Sequence, residues 1–277
     1  MVIDCHTHAF ADKIAAKAVE QLISYYRMPT DCNGSLAELL AKADEAELDA
    51  MVLLVAATKP EQLKPANDWS LKLAGFSEAE LGRRCHLSHV PKLIAFGTFH
   101  PDCPTWLEEV KRLRAAGIKG IKLHPEFQGI DLGDPRLGSF FEEIQNDFIL
   151  LTHVGDPRVN PENFSTPKKV ATILRNFPAL KIIAAHFGGL YFWEEVLEVL
   201  AGKAVWFDTS SSFPFIRPDL LRAIIAKHGT DRLLFGSDYP LQTPQRELAI
   251  FDQHLNWLSP SERERILGLN CRELLGI

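Results

Sequence analysis

Eight short, continuously apolar runs punctuate the chain: "MVIDCHTH", "DAMVLLVAAT", "KLIAFGTFHP", "IKGIKLHP", "FILLTHVG", "KIIAAHFGG", "AVWFDTSS" and "LLFGSDYP". Their hydrophobicity does not alternate, which suits strands buried on both faces, as parallel strands under helices are. The segments between them read as helices. "PTWLEEVKRLRAAG" places Trp106, Leu107, Val110 and Leu113 on one stripe and stops at Gly117. Eight strand–helix repeats in 277 residues predict an α/β fold, a (β/α)8 TIM barrel. No Gly-, Ser- or Pro-rich linker and no repeat beyond this rhythm interrupts the chain, so one domain over residues 1–277 is expected. The longest connection, Thr58 to Lys92, is expected to carry a loop and a helix that partly cover the mouth. At the C-terminal end Ser259 and Glu262 have capping-box spacing and start a closing helix.

With 30 basic against 36 acidic residues and a net charge of −6, there is no basic stripe for nucleic acid or anionic lipid. No apolar run approaches the roughly 18 residues of a membrane span, and no basic region precedes the first one. Five widely spaced cysteines without a Cys-x-x-Cys pair fit reduced thiols. A cytoplasmic protein acting on a small molecule is the expectation, with neither nucleic acid nor membrane as partner.

Six of the eight runs end, at the C-terminal side, in a residue that binds metal or carries a proton: His6 and His8, His100, His124, His153, His186 and Asp238. One histidine after a strand is more often a capping or core group than a ligand. A parallel barrel changes the weighting, because the C-terminal ends of its strands surround one mouth. In the fourth run, Gly120, Lys122 and His124 share one face, and Ile121 and Leu123 the other. A buried, unpaired lysine costs several kcal/mol, so an inward Lys122 calls for an ion site or a carboxylate neighbour. The same count puts Asp4 inward with His6 and His8, with Cys5 facing the helices as a core residue. Two imidazoles two apart on a strand point the same way and can share one ion.

Taken together, "IDCHTHAF", "GIKLHP", "THVG", "AHFGG", "GSDYP" and the closing "ILGLNCRELLGI" resemble the amidohydrolase superfamily. Within it the resemblance is to the branch of metal-dependent hydrolases and decarboxylases related to aminocarboxymuconate-semialdehyde decarboxylase. The pieces stand in the order and rough spacing of that family, from Val2 to Ile277. The resemblance implies that His6, His8 and His153 ligate a metal, and that Asp238 is a ligand or the proton-transfer group. His186 then contacts substrate or water in a one-metal site, polarising a carbonyl, or binds a second ion. A two-metal site would need a bridge from the fourth run, for which Lys122 and Glu126 are candidates, with His124 between them. A divalent ion is implied; zinc suits the set best, and manganese, iron or cobalt are tolerated. A homodimer is a further expectation of the family.

The activity implied is hydrolysis of a C–O or C–N bond in a small carbonyl compound such as a lactone, ester or cyclic amide. The alternative is non-oxidative decarboxylation of a small unsaturated or aromatic acid. A barrel that binds without catalysis predicts decay of the ligand set, yet every expected ligand is present. Arg158, Tyr191, Trp193, Phe213, Phe215 and Arg217, in loops after the fifth to seventh runs, are candidate contacts for a planar or carboxylate-bearing substrate. His100 is a candidate pocket residue; His89 and Asn270 read as structural.

Overall fold

The computed structural model describes residues 1–158 and 162–277. Among the described residues the apolar runs form nine parallel strands: β1 (Ile3–His8), β2 (Ala50–Leu54), β3 (Lys92–Ala95), β4 (Gly97–Thr98), β5 (Gly120–Leu123), β6 (Ile149–Thr152), β7 (Lys181–Ala184), β8 (Trp206–Asp208) and β9 (Leu233–Leu234). Strand order follows the sequence, β1 to β3 and then β4 to β9. Only Phe96 separates β3 from β4, and its N–H still donates to Leu53 O at 2.9 Å, so the third run is one stave with a break. At the other seam Cys5 N donates to Phe235 O (2.9 Å), Asp238 N to His6 O (2.8 Å) and His8 N to Tyr239 O (2.8 Å). These bonds join the last stave to the first, and the architecture is the eight-staved α/β barrel.

Alternate residues of the strands fall into separate apolar clusters, because successive side chains leave a strand on opposite faces. Met51, Leu53, Ile121, Leu123, Leu150 and Ile182 pack with the helices. Val52, Leu54, Ile149, Leu151, Ile183 and Leu234 form the interior, together with Cys271, Leu274 and Leu275. Those last three lie on the C-terminal helix Asn270–Leu275, whose Asn270 Nδ2 donates to Thr230 O and Leu233 O and so plugs the end where β9 begins. The capping box at Ser259 and Glu262 starts that segment. In register, Lys122 pairs with Leu151, and Leu151 with Ile183, which sets Lys122 on the interior face. Gly120, two residues earlier, lies against the Phe96 ring, and a Cβ there would overlap it.

Two expectations change. The β1–β2 register shifts between Asp4 and Thr7, an irregularity that re-aims side chains. Cys5 therefore joins the interior cluster instead of the helix layer. Asp4 Oδ1 accepts from the backbone N–H of His6 (3.1 Å) and Ser237 (3.0 Å), tying β1 to the turn after β9. The connection after β2 is not a cover for the mouth. Its helix Leu63–Ala74 docks on the barrel wall, with Ser70 Oγ donating to Phe96 O (2.7 Å) and Asn67 Nδ2 to Thr98 O (3.3 Å). No helix among the described residues is long and apolar enough to cross a membrane.

Candidate metal centre and cleft

The upper interior is polar and buried. His6, Lys122, His124, His153, His186, Asp208 and Asp238 meet at the C-terminal ends of the strands, each with little or no solvent exposure. His186 and Asp238 both adopt left-handed backbone conformations, φ 59° and 62°. Such a conformation is rare outside glycine, and the surroundings must hold it. Asp208 Oδ1 accepts from His186 N at 3.1 Å, and His6 O accepts from Asp238 N at 2.8 Å. Gly236 permits this approach, since a Cβ there would come within 2.9 Å of His6 Cβ.

Hydrogen bonds fix the tautomers. His6 Nδ1 lies 2.9 Å from Asp208 Oδ2, and a carboxylate accepts, so Nδ1 carries the proton and Nε2 a lone pair. His8 Nδ1 donates to Leu54 O at 3.2 Å and likewise leaves Nε2 bare. The two Nε2 atoms face one oxygen, Asp238 Oδ1, at 3.5 and 3.7 Å. Ser211 Oγ donates to the other carboxylate oxygen at 2.8 Å. The ligand atoms of His6, His8 and Asp238 all lie within 4.8 Å of one another.

His153 and His186 form an adjoining pair. His153 Nε2 donates to Gly155 O (2.8 Å), and His186 Nδ1 to Ser210 O (3.1 Å). The remaining nitrogens, His153 Nδ1 and His186 Nε2, then confront each other as lone pairs at 2.8 Å. A shared proton or a nearby cation is needed to relieve that. Burial is the first cause that holds these rings neutral, helped at His6 and His8 by the charge of Lys122 and opposed at His186 by that of Asp208: His8 is pushed down to about 3 and His186 to about 4, while His6 and His153 also sit well below the usual value. Four neutral imidazoles, each with its other nitrogen anchored to a carbonyl or carboxylate, have the donor chemistry of a divalent-cation site.

Lys122 Nζ lies 3.1 Å from His6 Nε2; burial pushes its pKa down to about 8, opposed by the charges of Asp238 and Asp208. Asp238 is raised to about 7, chiefly by burial, against the Ser211 hydrogen bond. His124 stacks on His153 with ring centres 4.1 Å apart; its Nδ1 accepts from Phe127 N, so Nε2 donates to Tyr26 Oη at 3.0 Å. Glu126 turns to Ser165, whose N–H and Oγ donate to it, although its carboxylate remains within reach of His124 and His153.

Above these groups opens a cleft of about 170 Å³. Tyr26, Arg27, Met28, Leu190, Tyr191, Phe215 and Leu241 line it, with His153, His186, Ser211 and Asp238 at its base. Tyr191 and Phe215 are thus where the sequence places them. Arg158 is not: its guanidinium pairs with Asp156 (2.9 Å) and lies over the Tyr25 ring, and Arg27 is the arginine lining the cleft. Arg217 pairs with Glu194 and Asp219 on the surface, Trp193 Nε1 donates to His186 O, and Phe213 is buried. His100 Nδ1 accepts from Asp102 N, His89 Nε2 bonds Leu48 O, and neither lines the cleft. Sequence reading passed over Asp208, Ser211, Tyr26 and Arg27. Asp208 had a signal, since "WFDTSS" also ends an apolar run in an acid; the others lie off the strand ends.

A polar mouth with histidine-rich strand ends on an α/β barrel defines a class of metal-dependent enzymes, and the sequence carries the same assignment. A family model described as Amidohydrolase matches residues 3–277, and the chain belongs to the amidohydrolase family. No curated protein matches the sequence. Among solved structures, an uncharacterised TIM-barrel protein from Bordetella bronchiseptica is similar at TM-score 0.77 and 16% identity, over 99% of this chain and 98% of that one. A 2,6-dihydroxybenzoate decarboxylase from Rhizobium gives 0.66 and 17%, over 99% and 98%. A probable 2-pyrone-4,6-dicarboxylic acid hydrolase from Acinetobacter baumannii with citric acid bound gives 0.67 and 20%, over 100% and 99%. At these identities the likeness is one of fold.

Proposed function

We propose that the protein is a metal-dependent hydrolase that cleaves a C–O or C–N bond of a small carbonyl compound. The observation that carries this reading is the convergence of the His6 and His8 lone pairs on Asp238 Oδ1 at the mouth of the barrel. His6, His8 and Asp238 would hold a divalent ion, with His153 and His186 beside them; zinc is the ion proposed, since imidazole and carboxylate suit it. Such an ion supplies Lewis acidity, bringing the pKa of water towards roughly 7 and polarising a carbonyl.

The chain's own groups do the rest. Asp238, whose Oδ1 faces both imidazoles at the mouth, is placed to take a proton from water and return it to the leaving group. Ser211 orients that carboxylate by occupying Oδ2. His186, with Nε2 unprotonated, acts as a lone-pair group, so a donor to the substrate carbonyl must come from elsewhere. Tyr26 fits: its oxygen accepts from His124 and its hydroxyl proton is free for the cleft. The apolar walls exclude water and accept a flat organic body, and Arg27 favours an anionic group on it. The reduced, unpaired cysteines fit a cytoplasmic site of action.

The fold shared with the Rhizobium decarboxylase supports a second reading, in which the same groups handle a proton on carbon. One experiment separates them. The metal-loaded protein is screened against lactones, esters, cyclic amides and aromatic acids, with acid release and carbon dioxide followed together. Acid release without carbon loss, abolished by chelation and by Asp238→Asn, supports the hydrolase; carbon dioxide supports the decarboxylase; chelator-insensitive turnover contradicts both.

A further inference from the structure

Asp208 ends β8 with a fully buried carboxylate whose two oxygens have separate partners. Oδ1 accepts three times, from His186 N (3.1 Å), Ser210 N (3.1 Å) and Ser210 Oγ (2.5 Å). Oδ2 faces His6 Nδ1 at 2.9 Å. The crowd of donors on Oδ1 fixes the carboxylate's rotation, and that rotation delivers Oδ2 to the imidazole. From this geometry we propose that Asp208 is a positioning residue: it locks His6 in the Nδ1–H tautomer and so keeps the Nε2 lone pair turned towards Asp238 and available to a cation. The inference rests on the reading of His6 as a metal ligand. One alternative is that Asp208 is itself a ligand, since its carboxylate lies near His6 and His186. The geometry opposes it: Oδ1 is saturated by donors, and Oδ2 is spent on a nitrogen that bears hydrogen.

Asp208→Asn tests the proposal. The backbone N–H groups of His186 and Ser210 still require an oxygen, so the amide oxygen goes to them and the NH2 falls opposite His6 Nδ1. An NH2 donates, which drives the His6 proton to Nε2 and blocks the lone pair. Two measurements read this. In the metal-free protein with 15N-labelled histidine, nitrogen chemical shifts give the His6 tautomer, assigned by its loss in His6→Gln: Nδ1–H is expected in the native protein and Nε2–H in Asp208→Asn. In a cobalt(II) titration followed by visible absorption, Asp208→Asn is expected to bind about 10- to 100-fold more weakly.

An unchanged tautomer with unchanged cobalt affinity overturns the proposal. So does loss of a whole equivalent of cobalt while Nδ1–H persists, which would make Asp208 a ligand. A switched tautomer in a protein that binds no cobalt even in native form upholds the positioning role and refutes the metal reading. Should the variant not fold, the native protein decides alone, because an Nε2–H tautomer of His6 there overturns the assignment.

Discussion

The two ends of the barrel interior are built by opposite rules. Near the start of the strands, Val52, Ile149, Leu151, Ile183 and Leu234 interlock with Cys271 and Leu274 in an apolar plug. Towards the C-terminal ends of the barrel strands the interior instead holds His6, Lys122, His153, His186 and Asp238, all with little or no exposure. The lower half lowers free energy by removing apolar surface from water, at roughly 25 cal/mol per Å². The upper half desolvates ionisable groups, with the effect visible in the depressed imidazoles and the raised Asp238. Stability and chemistry thus occupy successive layers of one core, and the floor supports the cost of the mouth.

That division can be broken from either side. The largest effect is expected at the mouth: His6→Ala removes one of the two lone pairs that converge on Asp238, and cation affinity should fall by more than the roughly 100-fold that loss of an outer partner costs. Calorimetric titration with zinc checks it. The reverse is expected of Leu151→Ala at the floor. Loss of a fully buried leucine costs about 2–5 kcal/mol in urea denaturation, with zinc affinity unchanged. Gly120→Ala lies at the boundary, where the added methyl overlaps Phe96; overpacking of this kind costs about 1–3 kcal/mol. Adding Phe96→Leu should recover part of it.

A pH-dependent effect sharpens the same contrast outside the barrel wall. Glu247, on the helix Pro244–Leu255, is almost fully buried with both oxygens unpartnered among the described residues, and its pKa is raised to about 8, by burial first and then by the charges of Asp238 and Asp4. Below the ordinary value of 4.5 both folded and unfolded forms are protonated, and Glu247 contributes no pH dependence. From about 4.5 to 8 the unfolded chain releases the proton that the fold retains, so stability declines with rising pH by up to about 1.4 kcal/mol per unit. Glu247→Gln should therefore gain on the native protein between pH 5 and 8. A melting-temperature difference that stays flat over that range contradicts the assignment.

The barrel was legible because its signal is repeated: unbroken apolar runs imply strands covered on both sides, and the histidines gather at one end of them. The placement of Asp4 and Cys5 was not legible, since a register shift reverses a parity count without altering a residue. Asp208 was overshadowed by histidines, although it stands at a strand end as they do. Tyr26 and Arg27 were beyond reach for a different reason: they close the helix Asp12–Tyr26, and only the folded chain brings that helix end over the mouth. The protonation pattern needed coordinates too, because it depends on the carbonyls of Leu54, Gly155 and Ser210.

The central claim is that the buried imidazoles and Asp238 hold a divalent cation. Elemental analysis after gel filtration, on native protein and His6→Ala loaded with zinc in parallel, tests it most directly. The account predicts at least one tightly held equivalent per native chain and none in His6→Ala. Equal metal content in the two proteins, or none in either, would contradict it.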